Sequence, residues 1–175
     1  MRNVATLAGG CFWCLEAIYQ EVKGVKSVVS GYTGGHTPNP TASHVYQGKT
    51  GHAEVVQISF DPAVVTYMEL LEIFYYIHDP TQLNRQGPDV GDEYRSAIFY
   101  HDEVQKKIAV EVSTKFAPTL WDGKIVTELI KASKFWPAED YNQNFYRNNQ
   151  NAGYCQVIIN PKLEKFRKKF ESKLK

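Results

Sequence analysis

Three cysteines in a chain of 175 residues are too few, and odd in number, for a disulfide scaffold. They point instead to packing, metal binding or redox chemistry in a reducing compartment, so a cytoplasmic location is expected. Charge of one sign is missing as well. The formal net charge is +1, which leaves no overall electrostatic footprint for nucleic acid or a membrane surface. No apolar run approaches the length of a membrane span, and the opening "MRNVATLAGG" lacks the apolar stretch of a secretory signal. Internal repeats and low-complexity linkers are absent too. What remains is 43% hydrophobic, enough to bury one core, and reads as a single domain over residues 1–175. A monomer is expected.

Periodicity supplies the elements. "VATLA" (4–8) reads as a short strand, followed by a helix from about Phe12 to Val22 that stops at Gly24. "VKSVVSGYTG" and "HAEVVQISF" read as strands joined by a long loop rich in Gly, Pro and Thr. In the second of these, Glu54, Val56, Ile58 and Phe60 share one parity and so one face. Thr66 and Glu69 form a capping box for a helix whose buried face is Tyr67, Leu70, Leu71, Phe74 and Ile77. The polar stretch "TQLNRQGPDVGDEY" is longer than most connections, a property of functional loops. "RSAIFY" is a fourth strand. Asp102 caps a helix with Val104, Ile108, Val112 and Phe116 as its stripe, and "KIVTELI" fits an edge strand. Strand–helix–strand–strand–helix–strand is the order of a two-layer α/β plait of the ferredoxin-like class. An irregular C-terminal segment and a C-terminal helix follow. That helix is expected to start with Asn160 as N-cap and Pro161 as first residue, and its basic run reads as a solvated face.

The chemistry concentrates in "GGCFWCL" (9–15). Gly9 and Gly10 permit a tight turn into a helix beginning at or just after Cys11. A thiol there meets unpaired N–H groups and the positive end of the helix dipole, which favour thiolate. Burial beside Phe12 and Trp13 favours the neutral thiol, and the residues leave that balance open. Three uses also stay open. Cys11 and Cys14 could form a C-x-x-C redox pair of a general thiol–disulfide oxidoreductase, although the W-C-x-x-C order is lacking. With Cys155 and one of five histidines they could bind zinc in an interaction module, although no second C-x-x-C or H-x-x-x-H supports it. They could also be buried small side chains. Glu54, turned toward an apolar layer, should be desolvated and so retain a proton as an acid. "QGKTG" lacks the upstream glycine of a phosphate-binding loop.

Taken together and in order, "GGCFWCLEA", "GYTGGHTPNPT", "TGHAEVV" and "HDPTQLNRQGPDVGDEYRSAIFY" resemble the A-type peptide methionine sulfoxide reductases, from about residue 4 to about residue 161. The resemblance implies reduction of methionine S-sulfoxide, free or within a protein, to methionine. On it, Cys11 matches the nucleophile and Glu54 the acid, while Phe12 and Trp13 match the walls of a pocket for the ε-methyl group. Tyr94 matches an oxygen-binding tyrosine, and Asp89 an aspartate beside the site. Cys155 in "NAGYCQV" matches the resolving cysteine of a C-terminal segment (about 141–160), with Cys14 a second candidate or a relay. The resulting disulfide would be reduced by thioredoxin, with no metal or organic cofactor bound.

Three positions depart from the family pattern. Ala42 stands where a second tyrosine is usual, so either Glu54 and Tyr94 suffice or Tyr46, one turn on, supplies a phenol. Asn142 replaces the usual histidine of Y-H-Q and is not expected to be catalytic. Cys14 stands where glycine is frequent.

Overall fold

The structure, a computed structural model, describes residues 3–175; the first two residues of the expected domain lie outside the described residues. Strand β1 (Val4–Gly9) leads into helix α1 (Phe12–Tyr19), then β2 (Val25–Thr33), a short α2 (Ala42–Tyr46), β3 (Ala53–Phe60) and α3 (Tyr67–Ile77). A small hairpin of β4 (Arg85–Gln86) and β5 (Asp89–Val90) occupies the long polar loop. After it come β6 (Ser96–Tyr100), α4 (Glu103–Glu111), α5 (Ala117–Leu120), β7 (Glu128–Lys131), β8 (Trp136–Pro137), α6 (Phe145–Asn148) and α7 (Asn160–Lys169).

The main sheet runs in the order β7–β6–β1–β3–β2–β8. Strand β1 lies antiparallel between β3 and β6, β2 is antiparallel to β3, and β7 adds in parallel along the outer side of β6. One face carries the main core, where Val56, Ile58 and Phe60 meet Leu15 and Ile18 of α1 and Leu71 and Phe74 of α3. The other face is smaller: Ala53, Val55 and Phe99 are covered by Ile130, Ala132 and Phe135. The result is a mixed α/β fold with a central sheet and flanking helices.

The local signals act where sequence places them. The Thr66 hydroxyl accepts from the Glu69 N–H and donates to the Glu69 carboxylate, starting α3. Asp102 accepts from the Gln105 N–H at the start of α4.

Three expectations need correction. Of the stripe expected for α4, Val112 is buried and Ile108 and Phe116 pack against the core, but Val104 is 49% exposed and its place on the buried face is taken by Gln105 and Ala109. Gln105 decides this: its amide accepts from the His101 N–H and donates to the Val4 carbonyl, anchoring that face to β1. A π-helical turn at Val112–Phe116 then shifts the phase of later residues. Asn160 is not an N-cap either. A π-helical turn over Cys155–Ile159 runs directly into α7, and the Asn160 side chain accepts from the Tyr146 hydroxyl instead. Finally, the segment read as irregular contains β8, a 3-10 turn at Asp140–Asn142 and α6.

Candidate active site

The site is built at the corner between β1 and α1. Gly10 adopts φ +95°, and a Cβ there would sit 2.7 Å from the Gln86 side chain, so only glycine makes this turn without strain. The Gln86 amide in turn closes on both backbone polar groups of Asp79, fixing the hairpin loop against the turn. Cys11 then occupies the N-cap of α1 with extended backbone angles.

Glu54 faces the same point from β3. Its carboxyl accepts from the Phe12 N–H at 3.1 Å, using one of the unpaired donors of the helix N-terminus. The side chain is buried, and burial above all pushes its pKa to about 8. The Phe12 N–H opposes this rise, and Glu93, Asp89 and Glu139 reinforce it. Glu54 therefore carries a proton at neutral pH. Strand parity turns it to the same face as Val56, Ile58 and Phe60, toward α1.

The open balance at Cys11 resolves in favour of burial. Only 9% of Cys11 is exposed, and desolvation, followed by the nearby Glu54 and Cys14, raises its thiol well above the ordinary range against the Trp13 N–H. The resting form is a thiol. All three cysteines are free and buried.

The remaining sequence-predicted residues gather around this pair. Tyr94 lies in the 3-10 turn Asp92–Tyr94, and burial, then Glu54, Tyr46 and Cys11, hold its phenol in the protonated form. Tyr46 ends α2 half-exposed, and after burial the strongest influences on its phenol are Glu54 and Cys11, so it faces the same centre. Asp89, on β5, accepts from the Tyr154 hydroxyl at 2.6 Å, and that hydroxyl lies 3.8 Å from the Cys14 sulfur. Cys155 follows Tyr154 and is fully buried, and Cys14 feels both Asp89 and Cys155.

The two aromatics of the motif differ. Phe12 has no exposed surface and packs 5.6 Å from the Tyr32 ring. Trp13 is only partly buried. Its indole stacks on Phe145 at 3.6 Å, meets the edge of Tyr154 at 5.6 Å, and donates from Nε1 to the side-chain Oδ1 of Asn142 at 3.0 Å.

Tyr154, Phe145 and Asn142 also border Trp13, and the sequence does not single them out as site residues. The aromatic and amide-rich run "YNQNFYRNNQNAGYC" was the signal available, but periodicity does not say which of its side chains turn inward. Among the described residues, no group of three or more His, Cys, Asp or Glu side chains is arranged to hold a metal ion. No helix among them is long and apolar enough to cross a membrane.

Comparison with known proteins identifies the family. The profile of the family described as Peptide methionine sulfoxide reductase matches residues 3–174. The peptide methionine sulfoxide reductase MsrA of Sulfolobus acidocaldarius is 57% identical over 98% of this chain and 97% of its own. Among solved structures, Mxr1 of Saccharomyces cerevisiae in reduced form superposes with a TM-score of 0.80 at 34% identity, covering 87% of this chain and 88% of the yeast chain. The same yeast protein in complex with Trx2 superposes with a TM-score of 0.55 at 25% identity, over 81% of this chain and 83% of the other. With the motif, the corner geometry and these matches in agreement, the chain belongs to the peptide methionine sulfoxide reductase A family.

Proposed function

We propose that this protein reduces methionine S-sulfoxide, free or in oxidised proteins, to methionine through Cys11. The observation that carries the reading is the Cys11–Glu54 pair, a thiol at a helix N-terminus facing a buried carboxyl that keeps its proton at neutral pH. Glu54 gives its proton to the sulfoxide oxygen and recovers one from the Cys11 thiol. The substrate S–O bond breaks, an S–O bond forms at Cys11, and two electrons pass from the Cys11 sulfur to the substrate sulfur. Methionine leaves and Cys11 remains as a sulfenic acid. Tyr94 orients the oxygen, Trp13 walls the methyl pocket with Phe12 backing it against Tyr32, and Asp89 holds Tyr154 beside it.

Cys155 then displaces the hydroxyl of the sulfenic acid, forming the Cys11–Cys155 disulfide and releasing water. Cys14, one helical turn from Cys11, takes part in a later exchange in this account. A thioredoxin dithiol takes over the disulfide in this account, and the yeast relative seen with Trx2 supports it. The whole chain acts as one domain, its four central strands (β6–β1–β3–β2) forming a ferredoxin-like plait and residues 141–160 the resolving segment.

The test is an anaerobic single-turnover thiol titration with the separated S and R epimers of N-acetyl-methionine sulfoxide. Wild type should consume two thiols with the S epimer alone, and Cys155→Ser only one. Loss of two thiols in the variant moves resolution to Cys14; reduction of neither epimer overturns the reading.

A further inference from the structure

We propose that Glu139 is a positioning residue that holds both aromatics of the pocket at once, the wall Trp13 through Asn142 and its backing Phe12 through Tyr32. The inference rests on the pocket assignment made above. Glu139 follows β8, and its carboxylate receives four donors. One oxygen accepts from the Tyr32 hydroxyl at 3.0 Å and the Asn142 amide at 3.4 Å; the other accepts from the Ala42 N–H at 2.9 Å and the Tyr141 hydroxyl at 3.2 Å. A carboxylate has about four acceptor positions, so this one is saturated.

Each arm ends on a different part of the site. Asn142 donates to Glu139 and accepts the Trp13 indole N–H, so the carboxylate fixes which way the amide faces and thereby where the indole lies. Tyr32 packs against Phe12 and stands opposite Glu54 in the β2–β3 register. The Ala42 bond pins the start of α2, the helix that ends in Tyr46. Burial works against ionisation of Glu139, but the Ala42 N–H and its other donors win and hold the carboxyl below its ordinary range. It is therefore charged at neutral pH. Glu139 reaches the two aromatics of α1 only through Asn142 and Tyr32, and its charge adds a lesser push to the proton affinity of Glu54.

Glu139→Gln keeps the size and spoils the chemistry. An amide replaces one oxygen with an NH2 group, so two of the four donors lose their acceptor and face another donor. In single-turnover reduction of the S epimer, the half-saturating concentration should rise roughly tenfold, the scale of one lost hydrogen bond to a charged group, while the limiting rate stays within about threefold. In the 1H–15N spectrum the Trp13 indole resonance should move, while that of Trp121, which donates to the Tyr75 carbonyl, stays in place. An unchanged half-saturation with an unmoved Trp13 resonance overturns the proposal. So does a loss confined to the limiting rate, or movement of the Trp121 resonance as well, which marks a general disturbance of the fold.

If Glu139→Gln does not fold, Asn142→Ala and Tyr32→Phe test the arms separately. Each should raise half-saturation, and no effect from either sinks the proposal. Should wild type reduce neither epimer, the functional reading fails, yet the indole shift still tests the Glu139–Asn142–Trp13 chain.

Discussion

At the scale of single residues, Glu54 governs the pH behaviour. Its proton is held more tightly in the folded chain, with a pKa of about 8 against an ordinary 4.5. Between those values the folded state binds more protons than the unfolded one. The stabilisation is fully present at low pH and is lost as pH rises through about 8. Three outcomes are expected. The single-turnover rate of wild type should fall above pH 8 as the acid is lost. Glu54→Gln should lower that rate by about a hundredfold or more, the ordinary scale for a general acid. The same variant should melt above wild type at pH 9, where it avoids burying a charge, by about 2–4 °C for each kcal/mol relieved. Glu54 was legible in sequence because strand parity alone turns it to the apolar layer. Glu139, Asn142 and Tyr154 were not, since each matters through a partner distant in the chain, chosen by tertiary packing that no spacing encodes.

At the scale of elements, the turn from β1 into α1 sets where the thiol points. Gly10→Ala should destabilise the fold by about 1–2 kcal/mol, the usual cost of an L side chain at positive φ. The clash with Gln86 adds to that. Urea denaturation measures the loss, and single-turnover kinetics should show a slower chemical step because Cys11 and the Phe12 N–H shift together. Strands β1, β2, β3 and β6 and helix α3 were legible from their apolar patterns and from Thr66 and Asp102, whereas α1 was legible at its start only, ending at Tyr19 rather than running on to Val22 and Gly24. The face of α4 was not. A buried glutamine there outcompetes a valine because its amide satisfies two backbone groups. Two residues of β8 carry no period at all, and the π turns at 112–116 and 155–159 leave no mark in composition.

At the scale of the whole molecule, the wall of the pocket and the resolving cysteine belong to one stretch of chain. Trp13 is gripped by Asn142, Phe145 and Tyr154, while Cys155 is packed in the core one residue further on. On the proposed chemistry, bringing Cys155 to Cys11 pulls that grip apart. Tryptophan fluorescence should therefore change in two phases during a wild-type single turnover and in only the first in Cys155→Ser. A second phase that survives in the variant contradicts the coupling.

The burial of all three thiols carries one more consequence, for survival rather than turnover. Peroxides and alkylating reagents attack thiolates that they can reach. Burial holds Cys11, Cys14 and Cys155 in the protonated form inside the core. A repair enzyme must work in the oxidising burst that makes its substrate. Burial slows the reaction of its sulfur with the oxidant itself, so iodoacetamide at pH 7.5 should label the folded protein more slowly than free cysteine.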